Sequence, residues 1–357
     1  MNDALEKSIG AIFDAYPETT ALNEFKEEVM SDASEALQDY QRQNPTISEP
    51  DAIRAILDSL GDIAAIAKMI AGETTEVAVF SQATQDYRQI LVNAYAGQVY
   101  ISRGDGQEVK VHQLTNIDRP EFAVQVQNED QQLRITMPKP TGHGLFNFFK
   151  SNFSSRFRNV IKIEVPSNFM GDLKLSVNAG EVFVSDLDLQ GDLKTSLIAG
   201  ALNVEHVNAG NVDADISAGK AKFSQVNASN QFIGSVSAGD LKLMDTTGQF
   251  DIEVAAGNLV AHQVVGAGGF HANAGNIDVD WAQVSGNIHL DTALGNITMR
   301  FMTDISFKIK GNTTMGMIKV LREHTVLNSS GNLDAQVGFT PAFNVYASTS
   351  LGAIVIK

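Results

Sequence analysis

The chain of 357 residues has no cysteine and only eight prolines. The absence of cysteine excludes disulfide bonds, thiol nucleophiles and thiolate metal ligands. Uninterrupted apolar runs of the length that a membrane-spanning helix needs, about 20 residues, are also lacking. Basic residues are scarce, because 26 lysines and arginines stand against 42 aspartates and glutamates, for a net charge of −16. This balance argues against general nucleic-acid binding, which depends on cations that displace counterions from phosphates.

The first residues, Met1 to Glu6, contain neither a basic start nor an apolar segment. They therefore predict no Sec-type export signal. We expect a cytoplasmic or peripherally envelope-associated protein, with surface exposure by a non-classical route as an alternative. A cysteine-free composition suits the cytoplasm and the surface of a Gram-positive bacterium equally well.

One six-residue motif recurs nine times between Asn178 and Ile356. It consists of a small or apolar residue, Gly, any residue, an apolar residue, any residue and another apolar residue. Its glycines are Gly180, Gly200, Gly219, Gly239, Gly257, Gly275, Gly295, Gly316 and Gly352. The step between them is 18 to 21 residues until the last, which is 36. We interpret that last step as two steps, with a degenerate copy near Gly331 to Gly338. Because one copy is too short to bury its own apolar face, the repeat predicts stacked coils.

The predicted fold is mainly β: a parallel single-stranded β-helix, or β-solenoid, of about 20 residues per coil, with a right-handed coil favoured. Regular coils are expected over residues 166–357, after irregular strands in 73–165. Glycine permits positive φ at each corner, and asparagines after glycine should stack as amide ladders. A β-sandwich or propeller is the alternative. The expected interior ladder is Val182, Leu202, Ala221, Leu241, Leu259, Ile277 and Ile297.

Residues 1–72 follow a helical period instead, and Pro17 and Pro45 punctuate them into a small all-α bundle of short helices. This segment carries 14 acidic and 5 basic residues, a net charge of −9. Two interpretations stay open: a solvated acidic face, or an acidic docking surface for a protein partner.

No motif for catalysis, metal binding or cofactor binding stands out. The histidines lack metal-ligand spacing, and no serine lies in a nucleophile elbow. Three pairs of aspartates alternate along strands in separate coils, and we interpret them as exposed charge: Asp186 with Asp188, Asp213 with Asp215, and Asp278 with Asp280. The sequence predicts no enzyme, no cofactor and no metal site.

A basic segment interrupts this acidic chain, because Gln131 to Ile163 contain six basic residues and no acidic one. Its phenylalanines interleave with the cations, which suits a cap over the first coil, contact with an anionic membrane surface, or docking to a partner or to the acidic helices. The candidate contact residues are Phe146, Phe148, Phe149, Lys150, Phe153, Arg156, Phe157 and Arg158.

The last copy of the motif ends at Ile356, next to the final residue given, Lys357. Ile354, Val355 and Ile356 are therefore predicted to form the open edge of the last coil, which invites strand pairing. We expect either a homodimer through the solenoid ends or a cover formed by Thr340 to Ala347.

Two resemblances add expectations. Leu57 to Lys68, with Leu60-Gly61-Asp62 and a following Ile-Ala repeat, resembles the closing signature of HAAS-type helical signalling modules, although Ile63 stands where proline is common. That resemblance implies a protein partner such as a regulator or membrane sensor.

The strand Ile161 to Pro166, followed by the repeated glycine motif, resembles the putative-adhesin family of β-strand repeat proteins. This resemblance implies a solenoid. The combined architecture is similar to surface-associated antibiotic-stress sensors of lactic-acid bacteria. We therefore expect a non-catalytic interaction or scaffold protein in bacterial cell-envelope stress sensing or signalling. The alternatives are a surface adhesin that binds a glycan or a host or cell-wall polymer, and a polysaccharide-acting β-helix enzyme.

Overall fold

The computed structural model describes residues 3–59, 63–71, 75–83, 87–115, 122–139, 159–328 and 332–357. The chain divides into two compact units, and each is described by itself. The first comprises Met1–Val77, His112–Ala123 and Pro138–Val160, and the second comprises Ala78–Val111, Val124–Met137 and Ile161–Lys357.

Within its described residues the first unit contains four helices: α1 (Asp3–Phe13), α2 (Thr20–Gln43), α3 (Glu49–Ser59) and α4 (Ile63–Ile70). The side chain of Thr19 caps α2 by accepting a hydrogen bond of 3.1 Å from the backbone N–H of Leu22. Ile9, Phe25 and Val29 are fully buried in the helical core. Phe122 belongs to the same core. The unit therefore recruits residues beyond the division at residue 72 that the sequence suggests.

In the described part of the chain, sixteen strands form one sheet, and most paired neighbours are parallel. The strands are β1 (Thr75–Ala83), β2 (Gln89–Gly104), β3 (Glu108–Thr115), β4 (Gln125–Glu129), β5 (Gln132–Met137), β6 (Asn159–Pro166), β7 (Asp172–Asp188), β8 (Leu193–Met244), β9 (Thr247–Ala256), β10 (Leu259–Ala274), β11 (Ile277–Leu294), β12 (Ile297–Phe301), β13 (Phe307–Val320), β14 (His324–Asn328), β15 (Asn332–Val337) and β16 (Phe343–Ile356). The prediction of a mainly β protein is confirmed.

The register of the parallel strands follows the repeat. Val182 of β7 lies beside Leu202 of β8, and Leu259 of β10 lies between Leu241 and Ile277. All seven members of the predicted interior ladder are buried. The alternation of apolar and polar residues therefore points the apolar set into a continuous core, in which Phe250, Phe270 and Trp281 pack ring against ring.

Both the backbone conformation and the space available require glycine at the repeat corner. Gly200 has φ +133°, in the region that side-chain-bearing residues rarely adopt, and a Cβ there would fall onto the carbonyl oxygen of Gly180. The same relation holds along the ladder, as between Gly275 and Gly257. Neighbouring coils thus approach each other closely at this corner because neither of the facing glycines carries a side chain.

The last three coils depart from chain order. The sheet runs β12, β16, β13, so the terminal strand β16 is inserted between two strands that precede it in sequence. Ile354 pairs with Ile297 on one side and Ile318 on the other. The predicted open edge at Ile354, Val355 and Ile356 is therefore wrong: both flanks are paired, and Ile354 and Ile356 are fully buried.

The predicted degenerate coil near Gly331 to Gly338 is wrong as well. β15, which spans Asn332–Val337, runs antiparallel to both β13 and β14. The chain therefore makes an antiparallel detour before β16 returns to the parallel stack, which explains the 36-residue step between Gly316 and Gly352.

Candidate functional site

The eight predicted contact residues, from Phe146 to Arg158, lie outside the described residues, and their role stays a prediction. Candidate surfaces within the described residues are of two kinds: outward ladders on the coils of the second unit, and a groove on the helices of the first.

Amides and carboxylates form a hydrogen-bonded ladder beside the glycine corner. Asp240 Oδ1 accepts from the backbone N–H of Asn258 at 3.0 Å and from its Nδ2 at 3.3 Å. Asn276 and Asn296 repeat the pattern, each donating to Oδ1 of the preceding ladder residue. The predicted amide stack is thus present at Asn258, Asn276 and Asn296. Its polar groups are used in holding coil to coil.

A charged ladder lies on another outward face. Arg300 places Nη2 2.7 Å from Asp278 Oδ1 and Nε 2.5 Å from Asp280 Oδ1. His262 Nδ1 lies 2.7 Å from the other carboxylate oxygen of Asp280. One guanidinium therefore bridges both aspartates in an ion network.

A second histidine and aspartate pair lies further along the stack. His271 Nδ1 is 3.2 Å from Asp291 Oδ2, and the Ser348 hydroxyl donates to Asp291 Oδ1. The hydrogen bond to Asp291 raises the pKa of His271, partly opposed by burial, and the carboxylates of Asp291, Asp251 and Glu253 raise it further. The hydrogen bond from His271 lowers the pKa of Asp291, and Ser348 adds to this against the effect of burial.

This serine, aspartate and histidine do not form a nucleophile relay. The serine hydroxyl donates to the aspartate, whereas a serine nucleophile must donate to the histidine base. Next to them His289 stacks on Tyr346, with ring centroids 4.7 Å apart at 13°. A depression of about 380 Å³ adjoins Tyr346, Lys310 and Asp334. The face is therefore polar and partly aromatic.

The first unit carries an elongated groove of about 670 Å³, lined by α1 and α2. Its lining combines half-buried Met30 with the carboxylates of Glu6, Glu27 and Glu35. Lys26 also lines it, but its ammonium lies 3.9 Å from Asp14. Three carboxylates against one ammonium give the described lining of the groove an excess of negative charge.

In the described parts of the chain, no three histidine, aspartate or glutamate side chains converge to hold a metal ion. Within the same residues, no helix has the length and apolarity to cross a membrane.

Sequence reasoning missed most of these clusters. Arg300, Asp280 and His262 come together only because coils of 18 and 20 residues bring them into register. A signal was available, since adding one coil step to each polar outward residue identifies its neighbour. The His271, Asp291 and Ser348 cluster had no such signal, because Ser348 arrives through the insertion of β16.

The search for similar curated proteins found no match. Three of the solved structures to which the chain is similar are 12% to 15% identical to it. A putative cell adhesion protein from Clostridium sporogenes is 15% identical over 80% of this chain and 99% of its own, with a TM-score of 0.28. A putative adhesin from Bacteroides fragilis is 12% identical, with coverages of 80% and 98% and a TM-score of 0.38. A putative lipid binding protein from Parabacteroides distasonis is 14% identical, with coverages of 80% and 98% and a TM-score of 0.40.

A family model covers most of the second unit, from the start of β2 to the end of β16. The matched residues are 87–356, and the chain belongs to the Toastrack DUF4097 family.

Proposed function

We propose that this protein is a non-catalytic interaction protein, in which the coils form a rigid platform and the acidic groove of α1 and α2 binds a basic amphipathic segment of a protein partner. The observation that carries the proposal is the lining of the groove, in which Met30 lies among the carboxylates of Glu6, Glu27 and Glu35. Acidic groups around an apolar side chain suit a basic amphipathic segment. A place for this interaction in bacterial cell-envelope stress signalling rests on the resemblance of Leu57 to Lys68 to HAAS-type modules.

The non-catalytic part of the proposal is supported by the state of the carboxylates. Asp278 and Asp280, the pair that a glycosidase reading would use, are both bound by Arg300. Asp188 is bound by Arg103 and by Asn208. A glycosidase needs one carboxyl group free to donate a proton and another free to attack or to activate water.

The groove can be tested with a charge-reversal pair. Glu27→Lys/Glu35→Lys removes the acidic rim, and Asp32→Lys/Asp39→Lys makes the same charge change at exposed sites of α2 outside the groove lining. The probe is a fluorescein-labelled helical peptide of leucine and lysine with one apolar face. We expect the first pair to weaken binding at least about tenfold and the control pair to change it less than about threefold, because screened charge outside the groove contributes little.

Absence of binding by the unmodified protein would overturn the groove proposal. Equal weakening by both pairs would also overturn it, because it would reduce the effect to bulk charge. Circular dichroism of each variant checks that the helices are retained.

A second candidate function, binding of a glycan or polymer at the surface, is favoured by the depression beside Tyr346. An aromatic ring next to Lys310, Asp334 and Asn312 offers stacking together with hydrogen bonds. Chitooligosaccharide titration of the unmodified protein and of Tyr346→Ser tests it by isothermal calorimetry. Saturable heat that is lost in the variant is expected, and no heat from either protein would reject it.

A further inference from the structure

The true end of the coil stack lies in the second half of β13. β15 pairs with β13 only from Phe307 to Asn312. From Thr313 to Val320, β16 is the partner of β13 in the described chain, and it occupies one side. The backbone groups that alternate toward the other side are therefore available to another strand.

Apolar side chains concentrate at this end. In the row before the corner glycine, Ala256 and Ala274 of the earlier coils are followed by Leu294, Leu351 and then Met315 in consecutive positions. These last three side chains are exposed, at 52%, 45% and 68%. Small residues thus give way to large apolar ones only in the coils next to the open strand.

The row after the glycine changes in the same direction. The amide ladder ends where Asn296 Oδ1 accepts the backbone N–H of Ala353, and the next position is Met317, exposed at 64%. Two rows that are polar or small elsewhere therefore converge on one apolar end. Exposed apolar surface of this kind, next to unpaired backbone, is characteristic of an association surface.

The strand lacks the usual protection of a sheet edge. Thr313 to Val320 contain no proline and a single charge, Lys319. The register between β13 and β16 runs without a bulge. Natural proteins that keep such an edge monomeric use several charges, a proline or a bulge to block pairing.

We propose that the exposed edge of β13, Thr313 to Val320, pairs antiparallel with the same edge of a second copy, which joins two chains at the ends of their solenoids. A two-fold pairing centred on the corner residue Gly316 superposes the two corners. It sets Lys319 of each copy opposite Thr313 of the other and Met315 opposite Met317, so no like charges face each other. Because both edges are used in one contact, the pairing closes at two chains. The second copy then covers the exposed apolar side chains of Leu351 and Met315.

The test measures the association of the full chain by sedimentation velocity, from about 1 µM to about 100 µM at about 150 mM salt, a range that resolves micromolar dissociation constants. Met315→Lys/Met317→Lys places four cations in the contact. The control Met170→Lys/Ile198→Lys changes two other exposed apolar residues, at 64% and 54%, away from β13. We expect a dimer for the unmodified and control proteins, and a dissociation constant at least about tenfold higher for the edge variant.

Hydrogen exchange adds a readout at the strand itself: the amides of Thr313 to Val320 should exchange more slowly as the protein concentration rises. Met317→Ser is the milder variant if the double substitution lowers the melting temperature. A protein that stays monomeric throughout, or a dimer that the edge and control variants weaken equally, would overturn the proposal. Open-ended growth with concentration would overturn the closed pairing.

Discussion

Ala353 donates its backbone N–H to Asn296 Oδ1 across 2.9 Å, although the two residues are 57 positions apart. Elsewhere in the same ladder the step is 18 or 20 residues, as from Asn258 to Asn276 and from Asn276 to Asn296. The terminal strand therefore uses the same hydrogen-bonding position that the next coil would have used. This explains how β16 is accepted into the middle of the stack while β13 is displaced to its end.

Gly200→Ala should destabilise the second unit by about 3 kcal/mol or more. The new Cβ would meet the Gly180 carbonyl, and alanine tolerates φ +133° poorly, so neither the space nor the conformation is available. Chemical denaturation followed by the fluorescence of Trp281 measures the loss. Gly106→Ala is the control, because its position is exposed with no positive φ, and it should change stability by less than about 0.5 kcal/mol. Equal effects at both sites would contradict the role of the corner.

Asp240→Asn and Asn258→Asp should have unequal effects on stability. Asp240 heads the ladder and acts as an acceptor, a role that an amide oxygen can also fill. Asn258 must accept from Asn276 and donate to Asp240, so an aspartate there loses the donor and sets two carboxylates about 3 Å apart. We expect a cost of about 1 to 2 kcal/mol for Asn258→Asp and less than about 0.5 kcal/mol for Asp240→Asn. Thermal denaturation of both variants checks the order, and its reversal would show that the ladder does not hold the coils.

The pair of His271 and Asp291 should make stability depend on pH. Because the pKa of His271 is raised from 6.5, its contribution is complete below that value and is lost as the pH rises through the raised pKa. Because the pKa of Asp291 is lowered from 3.8, its contribution is complete above that value and is lost as the pH falls through the lowered pKa. The pair therefore stabilises the fold most between about pH 4 and pH 6.

Urea midpoints at pH 5.5 and pH 8.5 measure this dependence in a double-mutant cycle of His271→Gln, Asp291→Asn and both together. The coupling between the two sites should be present at the lower pH and reduced at the higher one. A coupling that is the same at both values would show that the ionised pair contributes nothing.

Trp281→Phe should cost much less than Trp281→Ala. The indole Nε1 is buried, and within the described residues it has no hydrogen-bond partner, so its removal breaks no bond. Phenylalanine keeps a ring against Phe250 and Phe270, whose centroids lie 6.1 and 5.8 Å from that of the tryptophan. Expected losses are below about 2 kcal/mol for phenylalanine and about 3 to 5 kcal/mol for alanine, which leaves a cavity. Denaturation followed by far-ultraviolet circular dichroism compares the two, and equal losses would indicate a polar role for Nε1.

The repeat predicted the buried ladder from Val182 to Ile297, because an apolar residue at a fixed distance from a corner glycine must face the same way in every coil. It did not predict a further corner, present in several coils, at which residues other than glycine take positive φ. Asp186, His206 and Asp245 take positive φ there without being glycine. Since no single residue type marks that corner, spacing alone gave no signal for it.

The end of the stack was the part that sequence reasoning ordered wrongly. The copies at Gly316 and Gly352 carry the same motif, so the sequence allows either one to lie next to the Gly295 copy in the stack. The choice depends on long-range pairing: β16 bonds to both β12 and β13, while β15 folds back on β13. Local pattern carries no information about which of two equivalent strands arrives first.

By itself, the sequence determined that the larger part of this chain forms parallel β-coils with a glycine corner and an apolar interior, because those features repeat at one period and follow from backbone geometry within each copy. The tertiary structure alone decided which surfaces the coils present. It brought Arg300 to Asp278 and Asp280, placed Ser348 on Asp291, buried Ile354 and exposed Met317. Such contacts join residues on different coils, so their formation depends on strand order and register, which no single copy of the repeat encodes.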